Sequence, residues 1–257
     1  MTKKHISFSE LKTWAECPFK HKLKYVDGIN GFTGNAFTAF GTAIHSVCEF
    51  IAKDELDPID YDEHFDLAFL CELKKLEEKP DNKMITDMRQ QGREISPSVF
   101  PQLKKHFGNY EVFSTEEMLY ESIDELTYKW HLKGFIDLVI KTEDGKYHIL
   151  DWKSCSWGWD AKKRSEKLVT YQLTLYKKFF CKKHNIDPSL VETHFGLLKR
   201  TAKDNRVEIF RVTSGDRKTK NATKLLIDGC KTIKAKNHIK NRTSCQKCEF
   251  KHTEHCP

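Results

Sequence analysis

Asp137, Asp151 and Lys153 fall as D-x₁₃-D-x-K within KGFIDLVIKTEDGKYHILDWKS. Two carboxylates brought close repel each other unless a positive charge sits between them. A divalent cation supplies that charge, and oxygen ligands favour Mg²⁺ or Mn²⁺. Such an ion polarises a phosphodiester and lowers the pKa of a bound water. A lysine on the same face can hold that water or offset charge developing on the phosphate. The same three residues could equally form a structural salt bridge, and their spacing alone does not separate the two readings.

The element that must position them is a hairpin. Glu143-Asp144-Gly145 reads as a three-residue loop with Gly145 at the left-handed position of a bulge. Thr142 then faces Lys146, and counting back sets Asp137 opposite Asp151. Alternation along the strands puts Asp137, Asp151 and Lys153 on one face. A two-residue turn would shift the register and separate the aspartates. Ile136, Leu138, Ile140, Leu150 and Trp152 form the expected core face.

Other polar residues stand where they could join this group. In GTAIH, His45 lies beside an apolar helix face and offers a nitrogen ligand. In YQLTLY, Gln172 and Tyr176 are four apart and share a helix face. The plain alternatives are a satisfied helical histidine and ordinary packing of the tyrosine.

Ser7 and Glu10 have capping-box spacing before a helix that stops at Cys17-Pro18. A second short helix runs to about Val26, and residues 29–39 read as loop. Phe40, Ile44, Val47, Cys48 and Ile51 mark one face of the next helix. Residues 62–107 read as mostly helical, interrupted near Lys79-Pro80 and Ser96-Pro97. Strands are expected over 111–123, 127–141 and 147–153, a helix over 165–184, strands over 191–199 and 206–213, and a basic helix over 216–237. This order predicts a mixed α/β fold, a central mostly antiparallel or mixed sheet flanked by helices.

The series GTAIH, GFIDLV, ILDWKS and YQLTLY resembles the RecB-like branch of the PD-(D/E)xK nucleases, and SFSELKTWAECPFKHKLKYV is similar to that family's N-terminal start. Ile136 stands where the family name has proline, which is usual in this branch. The resemblance implies a restriction-endonuclease-like core and metal-dependent DNA hydrolysis leaving a 5′-phosphate. It implies exonuclease action on DNA ends and single strands, in recombination or repair, in a stand-alone member of phage type. His45, Asp137, Asp151 and the Trp152 carbonyl would hold the metal, Lys153 would assist the water, and Gln172 and Tyr176 would arrange the lysine and the DNA. Glu121 is an additional acidic candidate. The implied organisation is one nuclease domain over 1–257, with a helical insertion over about 46–110 and a catalytic core over about 111–215.

The last thirteen residues, CQKCEFKHTEHCP, hold three cysteines and two histidines. AddB-type subunits and CRISPR-associated RecB-like exonucleases resemble this chain in placing one cysteine early and three late. That resemblance implies a [4Fe–4S] cluster on Cys17, Cys245, Cys248 and Cys256. The cluster would clasp residues 5–28 to 240–257. The gap between Cys248 and Cys256 is longer than the family's usual one and contains His252 and His255. A structural Zn²⁺ on Cys245, Cys248, Cys256 and a histidine is therefore the alternative. Cys48, Cys71, Cys155, Cys181 and Cys230 read as core or incidental.

Charge points the same way. Residues 199–257 carry 16 Lys and Arg against 6 Asp and Glu, while the remainder carries 28 against 31. A basic third on a near-neutral body suits a polyanion such as nucleic acid, or a solvated helix. In SCSWGWDAKKRSEK, Trp157 and Trp159 offer stacking faces and Lys162, Lys163 and Arg164 offer phosphate contacts; Lys199, Arg200, Lys203 and Arg206 would extend the track. The tryptophans would otherwise anchor the loop to the core. The N-terminus has no apolar segment of a signal peptide and no run spans a membrane, so a cytoplasmic setting with reduced thiols is expected, the host cytoplasm for a phage protein. The rival reading is a non-catalytic DNA-binding or assembly module. It leaves the clustered carboxylates beside a polyanion unexplained.

Overall fold

The computed structural model describes residues 4–29 and 34–257, the Lys247 side chain excepted. Its strands are β1 (His5–Ser7), β2 (Tyr110–Ser122), β3 (His131–Thr142), β4 (Tyr147–Cys155), β5 (Val191–Lys199) and β6 (Val207–Val212). Its helices are α1 (Phe8–Glu16), α2 (Pro18–His21), α3 (Ala36–Ala52), α4 (Tyr61–Lys74), α5 (Asn82–Phe107), α6 (Ala161–Ser165), α7 (Lys167–His184) and α8 (Asp216–Lys234). The six strands form one mixed sheet in the order β1-β3-β4-β5-β6, with β2 paired to β3. The mixed α/β expectation holds. The expected loop over 29–39 lies partly outside the described residues, and α3 begins within it, where Asn35 and Thr38 form a capping box.

β3 organises the sheet. Along one edge it pairs antiparallel with β2, from Tyr110 opposite Thr142 to Ser122 opposite His131. Its other edge is shared: β1 runs parallel to residues 131–133, and β4 runs antiparallel to residues 138–141. Residues 134–137 lie in the interval between these two ladders, so Asp137 stands at an opening in the sheet. β5 pairs parallel with β4 and antiparallel with β6, and is buried along nearly its whole length, as expected for a strand covered on both faces.

Each face carries its own core. α1, α7 and α8 enclose Leu11, Leu132, Ile149, Leu173, Phe179, Phe195 and Leu226 on one side. α3, α4 and α5 enclose Phe40, Ile44, Phe65, Phe69, Ile95, Leu138, Leu150 and Trp152 on the other. The apolar spacing read from residues 40–51 is the face of α3 that meets this second core.

Four local expectations are corrected. β1 is a strand that its three residues do not announce; it exists because β3 offers an edge to it. The capping box at Ser7 is half made: Ser7 Oγ accepts from the Glu10 N–H at 3.2 Å, but the Glu10 carboxylate turns inward to His21 Nε2 at 2.9 Å. α5 runs through Pro97 and Pro101 without a break. Two interior prolines cost about 6 kcal/mol together, and burying Ile95, Val99 and Leu103 returns about 1.5–3 kcal/mol for each side chain, which is enough to offset that cost. Finally, Ile136 packs in the core on the α7 side and not with Leu138. Opposite this point Glu116 has φ 45°, a left-handed backbone inside β2, so the alternation of the pair is interrupted there.

Candidate active site

The hairpin folds in the expected register. Thr142 N–H donates to the Lys146 carbonyl at 3.0 Å, Gly145 N–H donates to the Thr142 carbonyl at 2.9 Å, and Gly145 has φ 79°. Leu138 is paired with Leu150, which leaves Asp137 and Asp151 just beyond the last paired rung. Asp137 Oδ2 accepts from the Trp152 N–H at 2.6 Å, and the Lys153 ammonium lies 2.5 Å from Asp151 Oδ2. Asp151 Oδ1 accepts from Gln172 Nε2 at 2.8 Å, and the same nitrogen donates to the Tyr176 hydroxyl at 3.3 Å. His45 Nδ1 lies 3.6 Å from Asp137 Oδ2, and the ring also bonds the Trp152 backbone. All six side chains singled out around the hairpin therefore come together, from α3, β3, β4 and α7.

The electrostatics suit a cation. Burial and the neighbouring Asp151 charge push the Asp137 carboxyl well above the usual carboxylate range. Burial holds His45 down at about 4, so its imidazole is neutral at neutral pH and free to donate a lone pair. Burial disfavours the Lys153 ammonium, but Asp151 and Asp137 outweigh it and the pKa is raised. Asp151 Oδ2 is shut off from solvent and paired to the Lys153 ammonium. A buried carboxylate, a raised carboxyl, a neutral imidazole and a backbone carbonyl form a donor set that fits a small divalent ion.

Metal affinity must then depend on pH. Below the raised pKa of Asp137 an ion has to displace a proton, so affinity for Mn²⁺ is expected to climb by about tenfold per pH unit and flatten above it. His45 adds no slope above its own low pKa. Isothermal titration with Mn²⁺ across the weakly acidic to neutral range measures this; an affinity independent of pH contradicts it.

Gly134, in the GFID stretch, makes room for Tyr176. A Cβ at this position would stand 2.8 Å from the tyrosine ring. Gly134→Ala is expected to push the ring aside, loosen its contact with Gln172 and cost about 1–3 kcal/mol of stability. Denaturant unfolding reads the stability, and turnover should fall while circular dichroism stays native.

Two acidic residues escaped the sequence reading. Glu116 projects into the same field: burial and the charges of Glu49 and Asp151 raise its pKa. Glu49 accepts from Lys53 at 2.7 Å and from Thr115 at 3.4 Å. Glu49 follows His45 by four positions on α3, a spacing that could have found it. Glu116 had no such signal, because its placement depends on the left-handed backbone in β2. Glu121, the acidic candidate from the sequence, sits farther along β2, opposite Leu132.

The expected DNA track is rearranged. Trp157 is exposed at 73%, but Trp159 is turned inward against Phe195 and Phe210, at 5.1 and 6.2 Å between rings. Trp159 thus anchors the loop. Arg164 pairs with Glu208 at 2.6 Å and lies over the Phe210 ring, and Lys199 is buried and reaches the same carboxylate at 3.3 Å. Arg200 stacks 4.6 Å above Phe37 and bonds Ser156. Lys163 pairs with Glu166 at 2.8 Å, Arg206 is engaged by Glu94, and Lys162 is exposed. Elsewhere Arg164, Lys167, Arg211, Arg217 and Lys218 ring a basic cavity of about 680 Å³.

At the chain ends, Cys17, Cys245, Cys248 and Cys256 line one cavity of about 530 Å³ together with His252. None of the nine cysteines is in a disulfide. The ends are joined by protein contacts as well. Asn241 Nδ2 and Ser244 Oγ both donate to the Glu16 carbonyl, at 2.8 and 2.7 Å, Asn241 N–H donates to Cys17 Sγ at 3.3 Å, and Lys20 pairs with Glu249 at 2.9 Å. Cys48, Cys181 and Cys230 are buried, Cys71 is exposed and Cys155 is half-buried.

Residues 5–256 match the family described as the PD-(D/E)XK nuclease superfamily. The chain belongs to this superfamily. Comparison with curated proteins gives no match. Among solved structures the nuclease is similar to a candidate exonuclease from Eubacterium rectale, at 11% identity and a TM-score of 0.60, covering 97% of this chain and 89% of that one. It is also similar to the protein SSO0001, at 16% identity and a TM-score of 0.46, covering 97% of this chain and 85% of that one. The first of these likenesses bears on the fold alone. Among the described residues of the nuclease no helix is long and apolar enough to cross a membrane.

Proposed function

We propose that this nuclease is a divalent-metal-dependent DNA exonuclease that degrades strands from their ends, in recombination or repair. One observation carries the reading: Asp137, Asp151 and neutral His45 converge on an opening in the sheet, with the Lys153 ammonium paired to the buried Asp151 carboxylate. His45, Asp137, Asp151 and the Trp152 carbonyl would hold Mg²⁺ or Mn²⁺, which supplies an activated water and polarises the phosphate. Gln172 fixes the rotation of the Asp151 carboxylate, and Tyr176 fixes Gln172. Lys153 keeps positive charge at the site of attack, where charge develops on the phosphate. The exposed Trp157 would offer a stacking face and the exposed Lys162 a phosphate contact to the strand.

At the chain ends the four cysteines would hold a [4Fe–4S] cluster. Their shared cavity is larger than one ion needs. A zinc ion held locally by Cys245, Cys248, Cys256 and a histidine would leave Cys17, which lines the same cavity, without a role.

End-labelled and circular single-stranded DNA, incubated with Mn²⁺, test the reading. Stepwise loss from the labelled linear strand with the circle intact supports it. Equal cleavage of both forms rejects end dependence, and inertness toward both rejects catalysis.

A further inference from the structure

His148 and His194 meet on the sheet face turned toward α5. His148 is opposite Glu192 in the β4–β5 ladder, and Leu150 is opposite His194, so the three side chains share that face. His148 Nδ1 lies 3.1 Å from His194 Nε2 and 4.0 Å from Glu192 Oε2. One ligand atom from each of the three lies within 4.8 Å of the others. The imidazoles are 7% and 2% exposed, and His194 Nδ1 is shut off from solvent without a partner. Glu192 divides its oxygens: Oε1 takes Arg211 at 3.2 Å and Lys146 at 3.7 Å, while Oε2 approaches His148.

We propose that His148, Glu192 and His194 form a second divalent-metal site, of zinc class, that fastens β4 to β5. Bonds of 2.0–2.1 Å in a tetrahedral site place ligand nitrogens about 3.3 Å apart, close to the separation seen here. Without metal, the short contact is a hydrogen bond. His194 Nε2–H donates to His148 Nδ1, His148 Nε2–H continues to Thr142 Oγ1 at 3.0 Å, and Thr142 donates to Asp144 at 2.5 Å. Binding needs only the His194 proton to move from Nε2 to Nδ1, which frees both facing lone pairs and leaves the proton count unchanged. Thr142 and Asp144 then orient His148 from behind, as outer partners of a metal ligand do. Burial lowers the pKa of both imidazoles, so they are neutral ligands at neutral pH.

The site is separate from the candidate active site. His148 precedes Asp151 by three residues, about 10 Å along the strand, and points to the opposite face. Its two nitrogens and one oxygen favour zinc or cobalt over the magnesium that an oxygen-rich site prefers. Three protein ligands leave a fourth position to solvent. The nearby Lys146 and Arg211 charges hold its affinity below that of a closed structural site.

Co²⁺ is the probe, added to Asp151→Asn protein in excess Mg²⁺, so that the catalytic carboxylates do not compete. One ion with visible d–d bands and no sulfur charge-transfer band is expected, which separates it from the tail cysteines. Adding Glu192→Gln should weaken that ion at least tenfold. Thr142→Val, which removes only the outer partner, should weaken it by about tenfold with the ligands intact. Zn²⁺ should raise the unfolding temperature of the Asp151→Asn protein and not that of its Glu192→Gln derivative. Cobalt binding that is sulfur-bound only, or unchanged in both added variants, overturns the site.

Discussion

Asp151→Asn is expected to abolish DNA hydrolysis, lowering kcat by on the order of 10³-fold or more, with the fold preserved. The asparagine is isosteric and still accepts from Gln172, so the loss isolates the carboxylate charge. Lys153→Met should cost less, on the order of 10²–10³-fold, because it removes charge stabilisation and leaves the oxygen ligands in place. Mn²⁺ binding separates the roles. It should be lost in Asp151→Asn and retained in Lys153→Met, since removing the ammonium beside Asp151 leaves its carboxylate free for the ion. Equal hydrolysis by wild type and Asp151→Asn would end the catalytic reading.

The second large effect is at the chain ends. If the tail holds the proposed cluster, Cys17→Ser is expected to remove iron and labile sulfide, bleach the colour of the cluster and cost about 5 kcal/mol of stability. The size follows from loop closure: Cys17 and Asn241 are 224 positions apart, and releasing a crosslink across so long a loop restores that much chain entropy to the unfolded state. The backbone contacts to Glu16 remain, so the tail should loosen before the rest of the chain unfolds. Iron analysis, thermal unfolding and limited proteolysis of the tail read the three consequences. Stoichiometric zinc in wild type, unaffected by Cys17→Ser, would replace the cluster by a local zinc site.

What was legible in the sequence was governed by local rules. The three-residue loop at Gly145 fixed the parity of the hairpin, and parity placed Asp137 and Asp151 together. The four-residue spacing of Gln172 and Tyr176 fixed their shared face, and the apolar spacing of α3 fixed the side of His45. What was hidden depends on partners far away in the chain. β1 is three residues that become a strand against an edge at His131. Arg164 looked like a phosphate contact until Glu208, 44 positions away, met it, with Lys199 on the neighbouring strand reaching the same carboxylate. Trp159 turns inward because Phe195 and Phe210 offer it a pocket. Pro97 and Pro101 warned of a break that the burial of α5 overrides. Glu116 enters the site through a backbone conformation that glutamate rarely adopts.

Anomalous scattering from a Mn²⁺-soaked crystal tests the carboxylate pocket most directly. One strong peak is expected between Asp137 and Asp151, within bonding distance of His45 and the Trp152 carbonyl, and absent from Asp151→Asn. Active crystals whose manganese lies elsewhere, with those two carboxylates left unliganded, would contradict it.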